Sequence, residues 1–212
     1  MVTGVQTCAL PIFLTGWGMV DLIGVFARSA ESDQELVSVL IPATDTAALR
    51  SRPLSLIAAN ASRTVSLTFD GVRVPFDMVD GIVTLERFAA AAMFGIWLNG
   101  CLALGIARRS IAELSDLGLD VGPLGEEKLS IRRDLDAGLT GTSDIYVARA
   151  RASEFALNTA AALVAATGSG ALLRGATAER LLREATFTLV FGTRPPIRAA
   201  LLERLCTSRE SH

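Results

Sequence analysis

The chain has almost none of the residue types on which metal centres and serine-type catalysis most often depend. Its 212 residues contain one histidine, His212, which is also the last residue. A histidine-based metal site and a Ser-His-Asp triad are therefore almost excluded. Any catalysis must use carboxylates, hydroxyls, backbone groups or a bound cofactor.

Patterned cysteines and an excess of charge are lacking as well. Cys8, Cys101 and Cys206 are widely spaced, which supports neither a disulfide framework nor a zinc site. Lys and Arg number 20 against 22 Asp and Glu, so the formal net charge is −2. Such a balance gives no general attraction to nucleic acid or to an anionic membrane. Since 50% of the residues are hydrophobic, we expect apolar interfaces as well as a core.

The first residues do not have the pattern of a secretory signal. They lack a basic segment, and their apolar stretch is interrupted by Gln6, Thr7 and Pro11. Residues 2–12 instead agree, one by one, with the translation of a common sequencing-adapter oligonucleotide. We therefore interpret residues 1–12 as a disordered artefact and expect the N-terminal part of the natural protein to be missing.

Hydrophobic patterning predicts β-structure first and α-structure afterwards. Short β-branched or alternating runs between polar turns predict strands at residues 20–27, 36–42, 65–70 and 72–75. From about residue 84 the period becomes helical. Helices are predicted at residues 86–117, 126–139, 145–167, 177–188 and 196–206, with Thr84 as the first N-cap and a Gly/Pro loop at 118–125.

The predicted fold class is α+β. A partial antiparallel β-domain over residues 13–83 is followed by an all-α helical bundle over residues 84–207 and a tail at 208–212. One segment, residues 88–107, has Asn99 as its only strongly polar side chain. Its length would also cross a bilayer, so a single-pass membrane protein is an alternative to a central bundle helix.

Several short sequence matches point to one family. Residues 13–21 align without a gap on a Trp-Ile-Thr-Asn-Gly…Ala-Asp stretch. Residues 61–64 and 69–75 are similar to an Ala-Ser-x-Thr…Phe-Asp-x-Val-Arg-Val-Pro run. Residues 152–154 and 179–185 match further helix signatures. In this order and spacing, the motifs resemble the C-terminal half of the acyl-CoA dehydrogenases.

The resemblance implies a flavoprotein with FAD as its cofactor and an acyl-CoA thioester as its substrate. In the family, the residues aligned with Phe13 and Thr15 touch the flavin. The glycine-rich loop at 166–170 and the Gly-Thr motif fall on further cofactor segments. The residues implied to bind the cofactor are Phe13, Thr15, Gly168, Gly170, Gly192 and Thr193. For the glycines, a helix C-cap and turn explain the sequence equally well, and for Gly192 and Thr193 a cap of the last helix does.

The family reaction removes an α-proton from the thioester, which needs a carboxylate base. Phe191 stands where most members have that glutamate, directly before Gly192. A minority of the family places the base at the start of the long helix, where this chain has Glu86, followed by Arg87. The resemblance therefore implies Glu86 as base and Arg87 as a substrate contact. The simpler alternatives are an acid favoured by the helix dipole and a structural salt bridge.

The family further implies a cytoplasmic enzyme of fatty acid metabolism. It is expected to be a homo-oligomer, a dimer or tetramer formed through the helical domain. Its expected redox partner is an electron-transfer flavoprotein, and neither nucleic acid nor a membrane is expected as a partner. The family's Arg-x-x-Phe-Gly element is absent at 117–125, and the Gln-x-x-Gly-Gly loop is reduced to Ala-Thr-Gly-Ser-Gly at 166–170. A flavin-dependent monooxygenase of the same fold and a degenerate, non-catalytic partner subunit are therefore the alternatives, and the chain by itself is expected to be inactive.

Overall fold

In the computed structural model, which describes residues 12–206, the chain divides into two compact units, Met1–Ala90 and Ala91–His212. The first unit contains two three-stranded antiparallel sheets, with strand orders β1-β5-β4 and β2-β3-β6. The strands are β1 Ile12–Leu14, β2 Leu22–Arg28, β3 Glu35–Pro42, β4 Leu49–Pro53, β5 Val65–Phe69 and β6 Val79–Thr84.

The two sheets share one apolar core. Alternating residues of β2 and β3 and the inner residues of β4 and β5 meet there, as a strand with one buried face requires. The buried core side chains are Ile23, Val39, Ile41, Leu49, Val65 and Leu67. Residues 1–11 lie outside the described residues, as does the tail at 207–212. Ile12, which we had expected to be disordered, opens β1 with its backbone opposite Leu67.

The predicted strand at residues 72–75 is wrong. That segment has no ladder partner among the described residues and leads into a 3₁₀ turn, Phe76–Met78. Pro75 has no N–H to donate, which makes this segment unsuited to a ladder between two strands. The third strand of the β2-β3-β6 sheet is instead Val79–Thr84, whose residues alternate between more and less exposed positions.

The second unit is helical. Its helices are α1 Leu85–Asp116, α2 Gly122–Leu139, α3 Ile145–Thr167, α4 Thr177–Thr188 and α5 Pro195–Cys206. The first residues of α1, up to Ala90, belong to the first unit. The five predicted helices are confirmed, and α3 and α4 have the predicted bounds. α2 begins four residues earlier than predicted, at Gly122 instead of residue 126. Pro123 does not prevent this, because proline fits the first turn of a helix.

The starts of α1 and α3 are capped by side chains. Thr84 Oγ1 accepts a hydrogen bond from the Arg87 amide at 3.2 Å, which confirms the predicted N-cap. Asp144 caps α3, since its Oδ1 accepts from the amides of Tyr146 and Val147 at 2.8 and 3.2 Å. Both caps satisfy amides that would otherwise have no intrahelical partner.

α3 is the central helix, with α2, α4 and α5 packed around it. It buries twelve residues, and its small side chains Ala152 and Ala156 are fully buried against the other helices. α1 contributes Ala103 and Ala107, both without exposed surface, to the same core. At Gly100 the absence of a side chain admits Leu135 of α2. The predicted fold class, an antiparallel β-part followed by a helical bundle, is confirmed.

Two segments are long and apolar enough to cross a membrane by length and composition, Leu85–Asp116 and Ile145–Leu172. A core helix of a soluble bundle passes the same test. α3 carries the buried charged residues Arg149 and Glu154, which are bonded within the unit. α1 supplies eight buried residues, which supports its interpretation as a bundle helix.

Candidate functional site

The segment after β1 is joined to a distant turn by hydroxyl groups. Thr15 Oγ1 lies 3.1 Å from Thr64 Oγ1, which in turn lies 2.7 Å from Ser62 Oγ. The Gly16 amide donates to the Ser62 carbonyl at 2.8 Å. Thr15 is exposed, and the Phe13 ring is 64% exposed. An aromatic ring and a hydroxyl of fixed position, two residues apart in sequence, are thus both exposed to solvent.

The turn that holds Thr15 has a strained backbone. Ala59 and Arg63, on either side of the 3₁₀ turn Asn60–Ser62, have left-handed φ values of 59° and 49°. The Asn60 amide stabilises the turn by bonding both backbone groups of Leu56, at 2.8 and 2.7 Å. Such strain in residues other than glycine concentrates at functional sites. Arg63 lies within residues 61–64, which match the family motif, and Ala59 lies two residues before them.

Glu86 and Arg87 lie in the first turn of α1, and both are exposed. The start of this helix is fixed by the Thr84 cap and by the Leu85 amide, which donates to the Gln34 carbonyl of the first unit at 2.9 Å. A carboxylate here benefits from the positive end of the helix dipole. The geometry is compatible with the proton-abstracting role and also with the electrostatic alternative.

Gly192 and Thr193 lie in the turn between α4 and α5. Gly192 has a φ of +60°, and a Cβ there would lie 2.4 Å from Nδ2 of Asn99. Thr193 Oγ1 donates to the Val190 carbonyl at 3.0 Å, so its hydroxyl closes the turn. The Asn99 side chain occupies the space that a side chain at 192 would need. The close approach of Asn99 therefore accounts for a glycine at position 192 without a bound cofactor.

Gly168 and Gly170 follow the end of α3. Gly168 has a φ of +70°, and its amide donates to the Val164 carbonyl as a helix C-cap. A Cβ at Gly168 would meet nothing within 4 Å, so the backbone conformation, not crowding, favours glycine. Gly170 lies in the 3₁₀ turn Gly168–Leu172 that follows. The surface is open enough for a ligand to approach the backbone closely.

Sequence reasoning missed a buried arginine on α3. Arg149 is 1% exposed, and its Nη2 donates to the carbonyls of Thr188 and Phe191 at 2.9 and 3.3 Å. Its Nη1 donates to Ser153 Oγ, and Ser153 Oγ donates to the Thr188 carbonyl at 3.0 Å. Burial lowers the pKa of the Arg149 guanidinium to about 10. The available signal was a basic residue among the mostly small and apolar side chains of α3, which also contains Arg151 and Glu154.

A second polar cluster joins α1 to α2. The Trp97 indole N–H donates to Asp136 Oδ1 at 2.7 Å, and Arg132 Nε lies 2.9 Å from both carboxylate oxygens. The guanidinium of Arg132 lies 5.2 Å from the Trp97 ring centroid. The hydrogen bonds from Trp97 and Arg132 lower the pKa of the Asp136 carboxyl. Burial raises the pKa of the nearby Cys101 thiol.

Neither a metal centre nor a ligand-sized cavity stands out in the part of the chain that is described. Among residues 12–206, no group of three or more His, Cys, Asp or Glu side chains could hold a metal ion. A cavity of about 150 Å³ in the helical unit is lined by residues of α2 and α3, among them Glu127, Glu154 and Asn158. This is smaller than the roughly 300 Å³ at which ligand pockets begin.

No protein-family model and no curated protein matches the chain. Solved structures match it in fold. One is the butyryl-CoA dehydrogenase of Megasphaera elsdenii, with 19% identity, a TM-score of 0.70, and coverage of 92% of this chain and 59% of the other. Another is an acyl-CoA dehydrogenase of Geobacillus kaustophilus, with 15% identity, a TM-score of 0.70, and coverage of 92% and 60%. A third is an electron transferring flavoprotein of Acidaminococcus fermentans, with 18% identity, a TM-score of 0.71, and coverage of 93% and 60%.

These matches establish the fold of the chain. It is the fold of the β-part and the C-terminal helical part of acyl-CoA dehydrogenases, which confirms the resemblance at the level of structure. The chain spans about three fifths of the length of the structures it matches. Activity, substrate and partners of a whole protein do not follow from a shared fold.

Proposed function

We propose that this chain forms the β-part and the helical part of an FAD-dependent oxidoreductase that dehydrogenates an acyl-CoA thioester at its α,β-bond. The observation that carries the proposal is the match in fold to acyl-CoA dehydrogenases over more than nine tenths of the chain. The chain by itself is proposed to be inactive, because it spans only about three fifths of those proteins.

The residues around β1 fit a flavin. Phe13 offers an exposed ring, and the Thr15 hydroxyl is exposed while Thr64 and Ser62 fix its position. Gly168 leaves open space above the backbone at the end of α3. Gly192 does not support a cofactor cradle, because Asn99 fills the corresponding space. In the first unit, the proposal therefore assigns flavin contacts to Phe13 and Thr15. In the second unit, taken by itself, Gly168, Gly170 and the backbone near Thr193 are proposed as cofactor-contacting positions.

FAD, when bound, accepts the hydride that leaves the β-carbon of the thioester. In this proposal Glu86 removes the α-proton, and Arg87 beside it contacts the substrate. An exposed carboxylate is a weak base in water, so the bound substrate must exclude solvent from Glu86 for the reaction to proceed. The capped start of α1 fixes where this carboxylate lies.

A second candidate is a non-catalytic partner subunit or a monooxygenase of the same fold. Phe191 favours it, because an apolar ring occupies the place of the usual catalytic glutamate. The ring stacks on Phe187 with centroids 4.9 Å apart, and the Phe191 carbonyl accepts from Arg149. Neither of these two functions needs a carboxylate base.

The test is made on the complete protein that contains this chain. We expect the purified protein to carry flavin and an acyl-CoA to bleach its absorbance. Glu86→Gln is expected to abolish bleaching while flavin stays bound, and Glu113→Gln, on the exposed ion pair with Arg109, is the control on the same helix. Undiminished bleaching in Glu86→Gln contradicts the base assignment. Absence of flavin favours the partner subunit, and flavin without bleaching favours the monooxygenase.

The proposed partners are a second copy of the protein and an electron-transfer flavoprotein, and the proposed location is the cytoplasm. Phe94, Leu98 and Leu102 form an exposed apolar row along α1, each four residues from the next. Such a row supports assembly through the helical part. Sedimentation of the complete protein tests the proposed assembly. A monomer that does not sediment with membranes would contradict the oligomer. A protein that sediments with membranes would favour the single-pass alternative.

A further inference from the structure

The turn between α4 and α5 is attached to α3 by one buried side chain with several bonds. Arg149 binds the carbonyls of Thr188 and Phe191, and its neighbour Ser153 binds the Thr188 carbonyl as well. Arg149 and Ser153 are one helical turn apart, so they face the end of α4 together. The contact thus joins the N-terminal half of the central helix to the last residue of α4 and to the turn that follows it.

The positive charge of Arg149 is compensated by polar groups that carry no formal charge. Among residues 12–206, its hydrogen-bond partners are two backbone carbonyls and a hydroxyl, and none of them is a carboxylate. The carbonyls at the end of a helix carry partial negative charge, which stabilises a cation placed there. Within the described part of the chain, the guanidinium Nε has no hydrogen-bond partner although it is buried. Burying a charge with an unpaired donor is costly, so stability alone does not explain an arginine at this position.

We infer that Arg149 is a positioning residue that fixes the turn at 189–193 against α3 and thereby sets where the Gly192 and Thr193 backbone lies. The inference rests on the proposed function, in which this turn faces the flavin. Phe191 stacks on Phe187 of α4, and the Thr193 hydroxyl bonds to Val190 within the turn. Leu189 also packs on the apolar cluster that includes Ile145 of α3, and Gly192 lies against Asn99 of α1. Arg149 and Ser153 connect the turn to the bundle core, where both are buried.

Hydrogen exchange of the chain tests the inference without a cofactor. The amides of Val190 and Phe191 donate to the Phe187 carbonyl at the end of α4, and the Thr193 amide donates to the Val190 carbonyl, so these three amides report opening of the turn. In Arg149→Met we expect them to exchange roughly tenfold faster or more, as the loss of more than one hydrogen bond predicts. Arg149→Lys is expected to be intermediate, because one ammonium group cannot reach all three acceptors. Amides in the core of α1 and α2 are expected to change less than about twofold.

Two serine variants provide a matched pair. Ser153 and Ser110 are both fully buried, but the Ser153 hydroxyl bonds to Thr188 on α4, whereas Ser110 bonds to Ile106 in its own helix. Ser153→Ala is expected to accelerate exchange in the turn, and Ser110→Ala is not. If Arg149→Met does not fold, amide exchange of the turn in Ser153→Ala and Arg149→Lys still tests the positioning role. Unchanged exchange in the turn, or an equal increase in all helices, would overturn the positioning role.

Flavin binding separates this inference from the proposed function. In the complete protein, Arg149→Lys is expected to weaken FAD binding by several-fold, and Ser110→Ala is expected to leave it unchanged. If the wild-type protein binds no FAD, the proposed function fails, while the exchange data still decide whether Arg149 fixes the turn. If FAD binds equally well to wild type and Arg149→Lys although the turn opens, the link between the turn and the cofactor is overturned.

Discussion

Arg204 on α5 donates from its Nε to the Oε2 of Glu154 on α3 at 2.5 Å, across fifty positions of sequence. The Glu154 side chain is 8% exposed and that of Arg204 is 31% exposed. A carboxylate buried to this extent is costly unless a cation accompanies it. The pair therefore adds a polar contact to the apolar packing of the last helix on the central one.

Replacing Arg204 with leucine is expected to lower the free energy of unfolding by about 2 kcal/mol. This is less than the roughly 3–5 kcal/mol lost when one partner of a fully buried ion pair is removed, because Arg204 is partly in water. Urea unfolding followed by circular dichroism measures the change. The control is Arg180→Leu, which breaks the exposed 3.0 Å pair with Glu184 and is expected to cost less than about 0.5 kcal/mol. Equal costs for the two variants would contradict the argument.

The order and type of most elements could be predicted from hydrophobic period and from capping residues. Thr84 and the glycines after α3 are local signals, and the structure places helix ends at these positions. β4 was missed, because Leu49–Pro53 contains Arg50, Arg52 and Pro53 and lies at the edge of its sheet. Its strand conformation depends on pairing with β5, which a local pattern cannot show.

The candidate site could be predicted only where a motif carried it. Thr15 was found through the family match, but its hydroxyl contact with Thr64 spans 49 positions and left no local trace. Arg149 lies in a helix of mostly apolar side chains, and its backbone partners lie 39 and 42 positions further along the chain. Long-range polar contacts of this kind are properties of the packed helices, so sequence period does not reveal them.

Gly138, at the end of α2, lies against the start of α3. A Cβ at this position would be 2.8 Å from both Cα and Cβ of Ile145, so the backbone of α3 would have to move. Gly138→Ala is therefore expected to destabilise the helical unit by about 1–3 kcal/mol, the usual cost of overpacking. Gly125→Ala in the same helix meets nothing within 4 Å and is expected to be neutral or stabilising by up to about 1 kcal/mol. Thermal unfolding of both variants checks the contrast, and a stabilised Gly138→Ala would refute the close approach.

The acid titration of Asp136 should be visible in the fluorescence of Trp97. The folded-state pKa of this carboxyl lies below its ordinary value of 3.8, first through the indole hydrogen bond and then through Arg132. Its stabilising contribution is therefore fully present above about pH 4 and is lost as the pH falls through the lowered pKa. In a Trp17→Phe background, we expect a fluorescence midpoint below 3.8, raised by Arg132→Gln and unaffected by Arg133→Gln. An identical midpoint in both arginine variants would show that the ion pair does not stabilise the ionised carboxylate.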